Sequence, residues 1–92
     1  MALLIRANGK CDKVYPADKD KFTLEEMQGF VAGLIEFIHL KGNRIMVINE
    51  EGRLDNLAVN PKATEMLQDE FVDDRVVDLV GDILLCDGSE IS

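Results

Sequence analysis

The chain has 92 residues, of which 10 are Lys or Arg and 18 are Asp or Glu, so that its net charge is −8. A hydrophobic content of 47% argues against intrinsic disorder, and the length fits one domain with one modest core. The excess of acids argues against direct binding of nucleic acid, which needs clustered Lys and Arg.

The first two predicted elements are strands that pair as a hairpin. Residues 2–7 carry an apolar run typical of a strand, and residues 10–15 read as its antiparallel partner. Asn8-Gly9 between them is a strong turn signal, because both residue types tolerate a positive φ. Pro16 ends the second strand or confines it to a sheet edge.

A helix follows the hairpin. Thr23 and Glu26 fit a capping box, and the apolar spacing after them is helical. Glycine costs about 0.5–1 kcal/mol inside a helix, so each glycine here needs a structural reason. We expect close packing of the helix on a sheet at Gly29 and the end of the helix at Gly33.

Residues 34–40 and 44–49 are predicted to be two paired strands, and they give the clearest hairpin signal in the chain. The core of its second strand, residues 45–48, is apolar on both faces, as expected for a central strand. Arg44 is expected to lie opposite Glu36 in this hairpin. A structural ion pair between them is favoured over an acid-base role for Glu36.

The C-terminal half predicts a second helix and a closing strand. Asn60 is a good N-cap residue, and Pro61 fits the first helical position. Residues 80–86 are apolar enough for a strand, in which Gly81 indicates a bulge or a close neighbour. Residues 87–92 are expected to fray.

This order of elements predicts one α+β domain over residues 1–92. We expect a mostly antiparallel sheet of four to five strands, with both helices packed on one face. That arrangement is the economical way to cover one apolar face of a sheet with two amphipathic helices.

The start of the chain and its cysteines indicate a cytoplasmic protein. The apolar N-terminus is too short for a secretory signal, and no apolar run approaches the roughly 18 residues that span a membrane. Cys11 and Cys86 have no CxxC spacing and, with a single histidine, cannot form a standard zinc site. Two buried thiols are favoured over a disulfide between them, which stays open.

Candidate chemistry is weak along the whole chain. His39 is the only histidine, but no nucleophile motif accompanies it, and an ordinary strand histidine is favoured. The acids between residues 69 and 82 lack the pattern of a calcium loop, so a solvated segment is favoured over a metal site. We expect no cofactor. The polar loop residues best suited to a ligand are Asn49, Glu50, Glu51, Gly52, Asn56 and Asn60.

Several segments together resemble a known family. The stretch from Gly29 to Leu40 is similar to a pattern Gly-x-Ile-Glu-x-Val at a helix-to-strand junction. Further matches are Asn49-Glu50-Glu51-Gly52, Asn60-x-x-Ala63 and Val80-Gly81-Asp82-Ile83-Leu84. On these residues the chain resembles the family of domain of unknown function 3846, frequent in phages, plasmids and other mobile elements of bacteria. The resemblance implies a bacterial or phage cytoplasmic setting and an accessory protein that acts by binding, without catalytic residues.

The distribution of charge predicts a partner. Residues 1–68 hold 10 acids and 9 bases, whereas residues 69–92 hold 8 acids and Arg75 alone. We expect a non-enzymatic module that binds a protein with a basic surface, and in its narrower form inhibits a host nucleic-acid-binding or defence protein by charge mimicry. The predicted partner-binding residues are Asp69, Glu70, Asp73 and Asp74.

Two alternatives stay open at this point. A small-ligand or nucleotide-binding module, in oligomeric form or not, uses the loops at 49–52 and 56–60. An enzyme that uses His39 or Glu36 requires one of these side chains in a pocket beside a second titratable group. No membrane partner is expected.

Overall fold

The computed structural model describes residues 2–17, 20–52, 54, 56–70 and 78–91. The elements within these residues are β1 (Ala2–Ile5), β2 (Cys11–Val14), α1 (Leu24–Val31), β3 (Ile35–His39), β4 (Arg44–Asn49), α2 (Pro61–Glu70) and β5 (Ile83–Asp87). The described strands form one five-stranded antiparallel sheet in the order β2-β1-β5-β4-β3. The predicted α+β class and both predicted hairpins are confirmed.

Buried apolar side chains form a separate cluster on each face of this sheet. One cluster joins α1 to alternate residues of the central strands and includes Met27, Val31, Ile45, Val47, Leu84 and Cys86. The other joins α2 to the intervening residues and includes Met46, Ala63, Leu67, Ile83 and Leu85. The helices therefore lie on opposite faces, and the prediction that both cover one face is wrong. Since β4 and β5 are apolar on both sides, each face needs its own covering layer.

The last strand joins the two hairpins. Leu84 of β5 lies opposite Leu4 of β1 and Val47 of β4. All three side chains are buried. The closing strand thus occupies the centre of the sheet, while β2 and β3 lie at its edges.

The capping box at the start of α1 is confirmed. The Thr23 hydroxyl accepts a hydrogen bond from the Glu26 backbone N–H at 3.2 Å, and the Thr23 N–H donates to Glu26 Oε1 at 3.0 Å. The N–H of Ala17 donates to the other carboxylate oxygen at 2.9 Å. These two backbone bonds, that of Thr23 first, hold the pKa of Glu26 below its usual value.

Both glycine predictions for α1 need correction. The helix ends at Val31, and its C-cap is not Gly33 but Ala32, which takes a left-handed conformation with φ of 64°. A Cβ at Gly33 would lie 2.7 Å from Nδ2 of Asn49, so this glycine allows a close approach of that side chain. A Cβ at Gly29 would meet no atom within 4 Å, and the residue is exposed. The predicted packing at Gly29 is therefore wrong.

The register of the β3–β4 hairpin corrects the predicted ion pair. Glu36 lies opposite Ile48, whereas Arg44 lies at the other end of the hairpin, where its C=O accepts from the Leu40 N–H at 2.8 Å. The Arg44 guanidinium instead contacts Glu70 of α2 at 2.7 Å. Antiparallel pairing places residues equally far from the turn opposite one another, which separates these two charges.

Residues 87–91, which the sequence predicts to fray, make hydrogen bonds within the chain. The N–H of Asp87 donates to Glu90 Oε1 at 3.0 Å, which completes a capping box around a 3₁₀ turn. The Phe22 N–H donates to the C=O of Glu90 at 2.6 Å, and Ile91 forms a parallel bridge with Phe22. The C-terminal segment is therefore bonded to Phe22, just before the start of α1.

The two cysteines are free thiols in different surroundings. Cys86 is buried in the α1-side cluster, whereas Cys11 is exposed on β2. The prediction of two buried thiols is thus correct for Cys86 alone. Burial first, and then the charges of Glu90 and Asp87, raise the pKa of the Cys86 thiol to about 11.

Candidate functional site

A cleft with a volume of about 210 Å³ opens where β4 ends, beside the start of β3. Its acidic lining residues are Glu36, Glu50, Glu51 and Asp78. Its apolar lining residues are Ile48, Leu54, Leu79 and Val80. We refer to it as the acidic cleft. It unites three segments that are distant in sequence: the start of β3, the turn after β4 and the stretch before β5.

The acidic cleft combines exposed carboxylates with an apolar wall. Glu36, Glu50 and Glu51 are exposed, while Leu79 is 6% exposed. The described lining residues include no Lys, Arg, His, Ser, Thr or Cys. Lys and Arg side chains lay their aliphatic stems along apolar surface and keep their charged ends in polar surroundings. A cationic side chain is therefore the group that this lining best accommodates.

Asn49 shapes the wall of the acidic cleft through bonds within the chain. Its Nδ2 donates to the C=O of Val31 at 3.1 Å and to that of Ala32 at 3.4 Å. Its Oδ1 accepts from the Glu51 N–H at 2.8 Å. The side chain is 5% exposed, so it links the end of α1 to the turn after β4.

Gly52 also has a structural role in this turn. A Cβ here would lie 2.7 Å from Cγ2 of Val80, so glycine permits the chain before β5 to approach. Its N–H donates to the C=O of Asn49 at 3.3 Å. The turn that the sequence selects as a ligand loop thus lines the cleft with the side chains of Glu50 and Glu51.

Asn56 and Asn60, the predicted ligand residues of the second loop, do not line the acidic cleft. Asn56 is exposed and has a positive φ of 55°. Asn60 is fully buried, and its Nδ2 donates to the C=O of Ile5 at 2.8 Å and to that of Gly81 at 2.9 Å. Its Oδ1 accepts from the Ala63 N–H at 3.1 Å, which confirms the predicted N-cap. The two loops are in contact, since the Leu57 N–H donates to the C=O of Gly52 at 3.0 Å, but neither asparagine of the second loop reaches the cleft.

The acids of residues 69–92, which we call the acidic strip, begin with two residues that differ in exposure. Asp69 is exposed, whereas the Glu70 side chain is 7% exposed. Glu70 accepts from Arg44 Nη2 at 2.7 Å and from the Lys41 N–H at 3.0 Å, so it ties α2 to the β3–β4 turn. Asp73 and Asp74 lie outside the described residues.

Later acids of the strip also bond within the chain. Asp82 accepts from the Ala7 N–H at 3.0 Å and lies 3.4 Å from Nη1 of Arg6. Asp87 accepts from the Ser89 N–H at 2.9 Å, and this bond holds the pKa of Asp87 below its usual value. Acids that are close in sequence therefore stabilise separate parts of the fold.

Replacing Glu70 with alanine is expected to lower the free energy of unfolding by about 1–2 kcal/mol. The value stays below that of a fully buried charged pair because Arg44 is 46% exposed and solvent screens it. Asp69→Ala removes the same charge from the same helix and should change stability by less than about 0.5 kcal/mol. Urea denaturation followed by circular dichroism measures both, and equal losses would contradict the structural role of Glu70.

The other candidates from the sequence lie outside this cleft. His39 is exposed at the far end of β3, opposite Ile45. Among the described residues, no group of three or more His, Cys, Asp and Glu side chains is arranged to hold a metal ion. The described helices are too short or too polar to cross a membrane.

Fold and cleft define a small α+β domain, with one helix on each face of an antiparallel sheet and an acidic cleft at one end of it. A family model described as domain of unknown function (DUF3846) matches residues 1–91. The chain belongs to this family, in agreement with the resemblance of its segments. Comparison with the curated proteins and with the solved structures finds no match.

Proposed function

We propose that this protein is a non-enzymatic binding module whose acidic cleft receives a basic side chain of a partner protein. The observation that carries the proposal is the meeting of Glu36, Glu50 and Glu51 above an apolar wall. Opposite charge on the partner speeds encounter and selects against acidic surfaces. This proposal puts the partner-binding surface at the cleft, whereas the sequence alone predicts it at the acids from Asp69 to Asp74.

The lining chemistry supports binding over catalysis. Glu36 shares the cleft with other carboxylates, and the described lining residues include no Ser, Cys, Lys or His that could act with it as a nucleophile or a second kind of acid-base group. His39, the other candidate of an enzyme mechanism, lies at the opposite end of β3. Neither arrangement supplies a nucleophile paired with a base.

The size and charge of the cleft narrow the small-ligand alternative. Ligand pockets usually measure about 300–1,000 Å³, and this cleft measures about 210 Å³. Its carboxylates repel phosphate groups, which disfavours a nucleotide. A small-ligand version of the proposal is therefore restricted to a compact cation.

The narrower form of the proposal is nucleic-acid mimicry. A carboxylate-lined surface on a chain with a net charge of −8 can occupy a basic groove that normally holds phosphates. The family resemblance to mobile-element proteins supports a host defence or nucleic-acid-binding protein as the target. In this form the protein acts in the cytoplasm of a bacterial or phage-infected cell.

An oligolysine peptide is a suitable probe, with isothermal titration calorimetry as the measurement. The cleft variant combines Glu36→Gln, Glu50→Gln and Glu51→Gln. The matched control removes the same charge from exposed acids elsewhere and combines Asp20→Asn, Glu25→Gln and Glu65→Gln. At about 0.5 kcal/mol for each ion pair, the cleft variant should bind about tenfold more weakly than the unmodified protein.

The control variant should bind the peptide within about twofold of the unmodified protein. Equal weakening in both variants would show that the peptide responds to overall charge, and the proposed cleft would then be rejected. Unchanged binding by the cleft variant would reject it as well. Circular dichroism spectra of both variants verify that the fold is kept.

A further inference from the structure

One edge of the sheet presents an ordered row of backbone groups. The Glu50 N–H donates to the C=O of Leu34, and the Leu40 N–H donates to the C=O of Arg44, both at 2.8 Å. Because bonded pairs alternate along an antiparallel ladder, the even-numbered residues of β3 bond to β4. The N–H and C=O groups that point outward from β3 belong to Ile35, Phe37 and His39. Among the described residues, β3 has a strand neighbour on one side only.

The two edges of the sheet differ in how they resist pairing. Edge strand β2 carries Lys13 and is followed by Pro16, two features that discourage the addition of a strand. Edge strand β3 contains neither Lys nor Pro. It exposes 38% of Phe37 and follows Leu34, which is 52% exposed.

We propose that β3 pairs antiparallel with β3 of a second copy of this chain and joins the two sheets into one. A two-fold axis perpendicular to the sheet keeps paired residues on the same face. One residue must therefore lie opposite its own copy, with the axis midway between the two. With the axis at Phe37, this residue faces Phe37 of the second copy, and Ile35 faces His39. Every outward N–H and C=O of both strands then has a partner.

The pattern of side chains favours a second copy at β3 and disfavours it at the two charged positions of β2. In the β3 register Glu36 faces Ile38, so no like charges are opposed. In β2 an axis at Asp12 opposes two carboxylates, and an axis at Lys13 opposes two ammonium groups, and like charges directly opposite are destabilising. This inference does not depend on the acidic cleft, and the two can fail separately.

Proline substitutions at the two edges form a matched test. Phe37→Pro removes an outward N–H and no bond to β4. Lys13→Pro does the same in β2, because the Arg6 N–H bonds to the C=O of Lys10 and the alternation turns Lys13 outward. Sedimentation of the unmodified full chain should give twice its mass of 10.3 kDa. Phe37→Pro removes two hydrogen bonds per dimer and should weaken the dimer about 30-fold or more, whereas Lys13→Pro should leave it unchanged.

Amide hydrogen exchange provides a second readout that needs no variant. In the unmodified protein the amides of Ile35, Phe37 and His39 should exchange more slowly as protein concentration rises, while those of Cys11 and Lys13 should not change. A chain that stays monomeric at millimolar concentration overturns the proposal. Equal loss of the dimer in both proline variants, or protection of the β2 amides, overturns it too.

Discussion

Replacing Leu84 or Leu85 with alanine is expected to lower the free energy of unfolding by about 2–4 kcal/mol in each case. These neighbours in β5 point to opposite faces of the sheet, and they are 0% and 9% exposed. Leu84 packs in the cluster with α1, and Leu85 packs in the cluster with α2. Each substitution removes apolar contacts and leaves a cavity in a different layer.

Urea denaturation followed by circular dichroism gives both values. Leu54→Ala is the control, because Leu54 is 80% exposed and its truncation should cost less than about 0.5 kcal/mol. If Leu84→Ala is costly while Leu85→Ala resembles the control, only one face of the sheet is covered. That result would contradict the placement of a helix on each face.

Replacing Asn60 with alanine is expected to cost about 3 kcal/mol. The substitution removes the N-cap bond to the Ala63 N–H, which contributes about 1 kcal/mol. It also leaves the C=O groups of Ile5 and Gly81 without the amide donor that they share, in a region where water has no access to Asn60. Each buried group that loses its partner costs about 1–3 kcal/mol.

The same denaturation experiment measures this loss. Gln68→Ala is the matched control, since Gln68 is an exposed amide side chain on α2. We expect a change of less than about 0.5 kcal/mol for this control. A loss below about 1 kcal/mol for Asn60→Ala would show that the amide does not hold α2 to β1 and to the segment before β5.

Local signals in the sequence predicted the elements well. The capping box at Thr23, the N-cap at Asn60 and both hairpins depend on residues a few positions apart, so their chemistry is readable from spacing. The apolar run at residues 45–48 also indicated the correct arrangement, in which both faces of the sheet are covered. A strand that is apolar on both faces needs cover on both, which the economical two-layer prediction did not take into account.

The acidic cleft was predicted in part. The turn from Asn49 to Gly52 follows directly from its residue types. Glu36 and Asp78 join it only through the β3–β4 register and through the path of the chain into β5. The predicted pairing of Glu36 with Arg44 failed because antiparallel strands that meet at the turn of residues 41–43 place Arg44 opposite Leu40, beside the turn, and Glu36 opposite Ile48.

The sequence by itself determined the class of fold, the element order and the amount of charge. The tertiary structure alone decided where the charge acts. Glu70 reaches Arg44 and Asp82 reaches Arg6 because α2 and β5 bring distant segments into contact. Glu70 and Asp82, which belong to one acidic segment of the sequence, therefore serve separate bonds, while Glu36, Glu50 and Glu51 meet at a cleft. Local propensity depends on neighbours in the chain, whereas a site depends on long-range pairing of strands, which spacing does not encode.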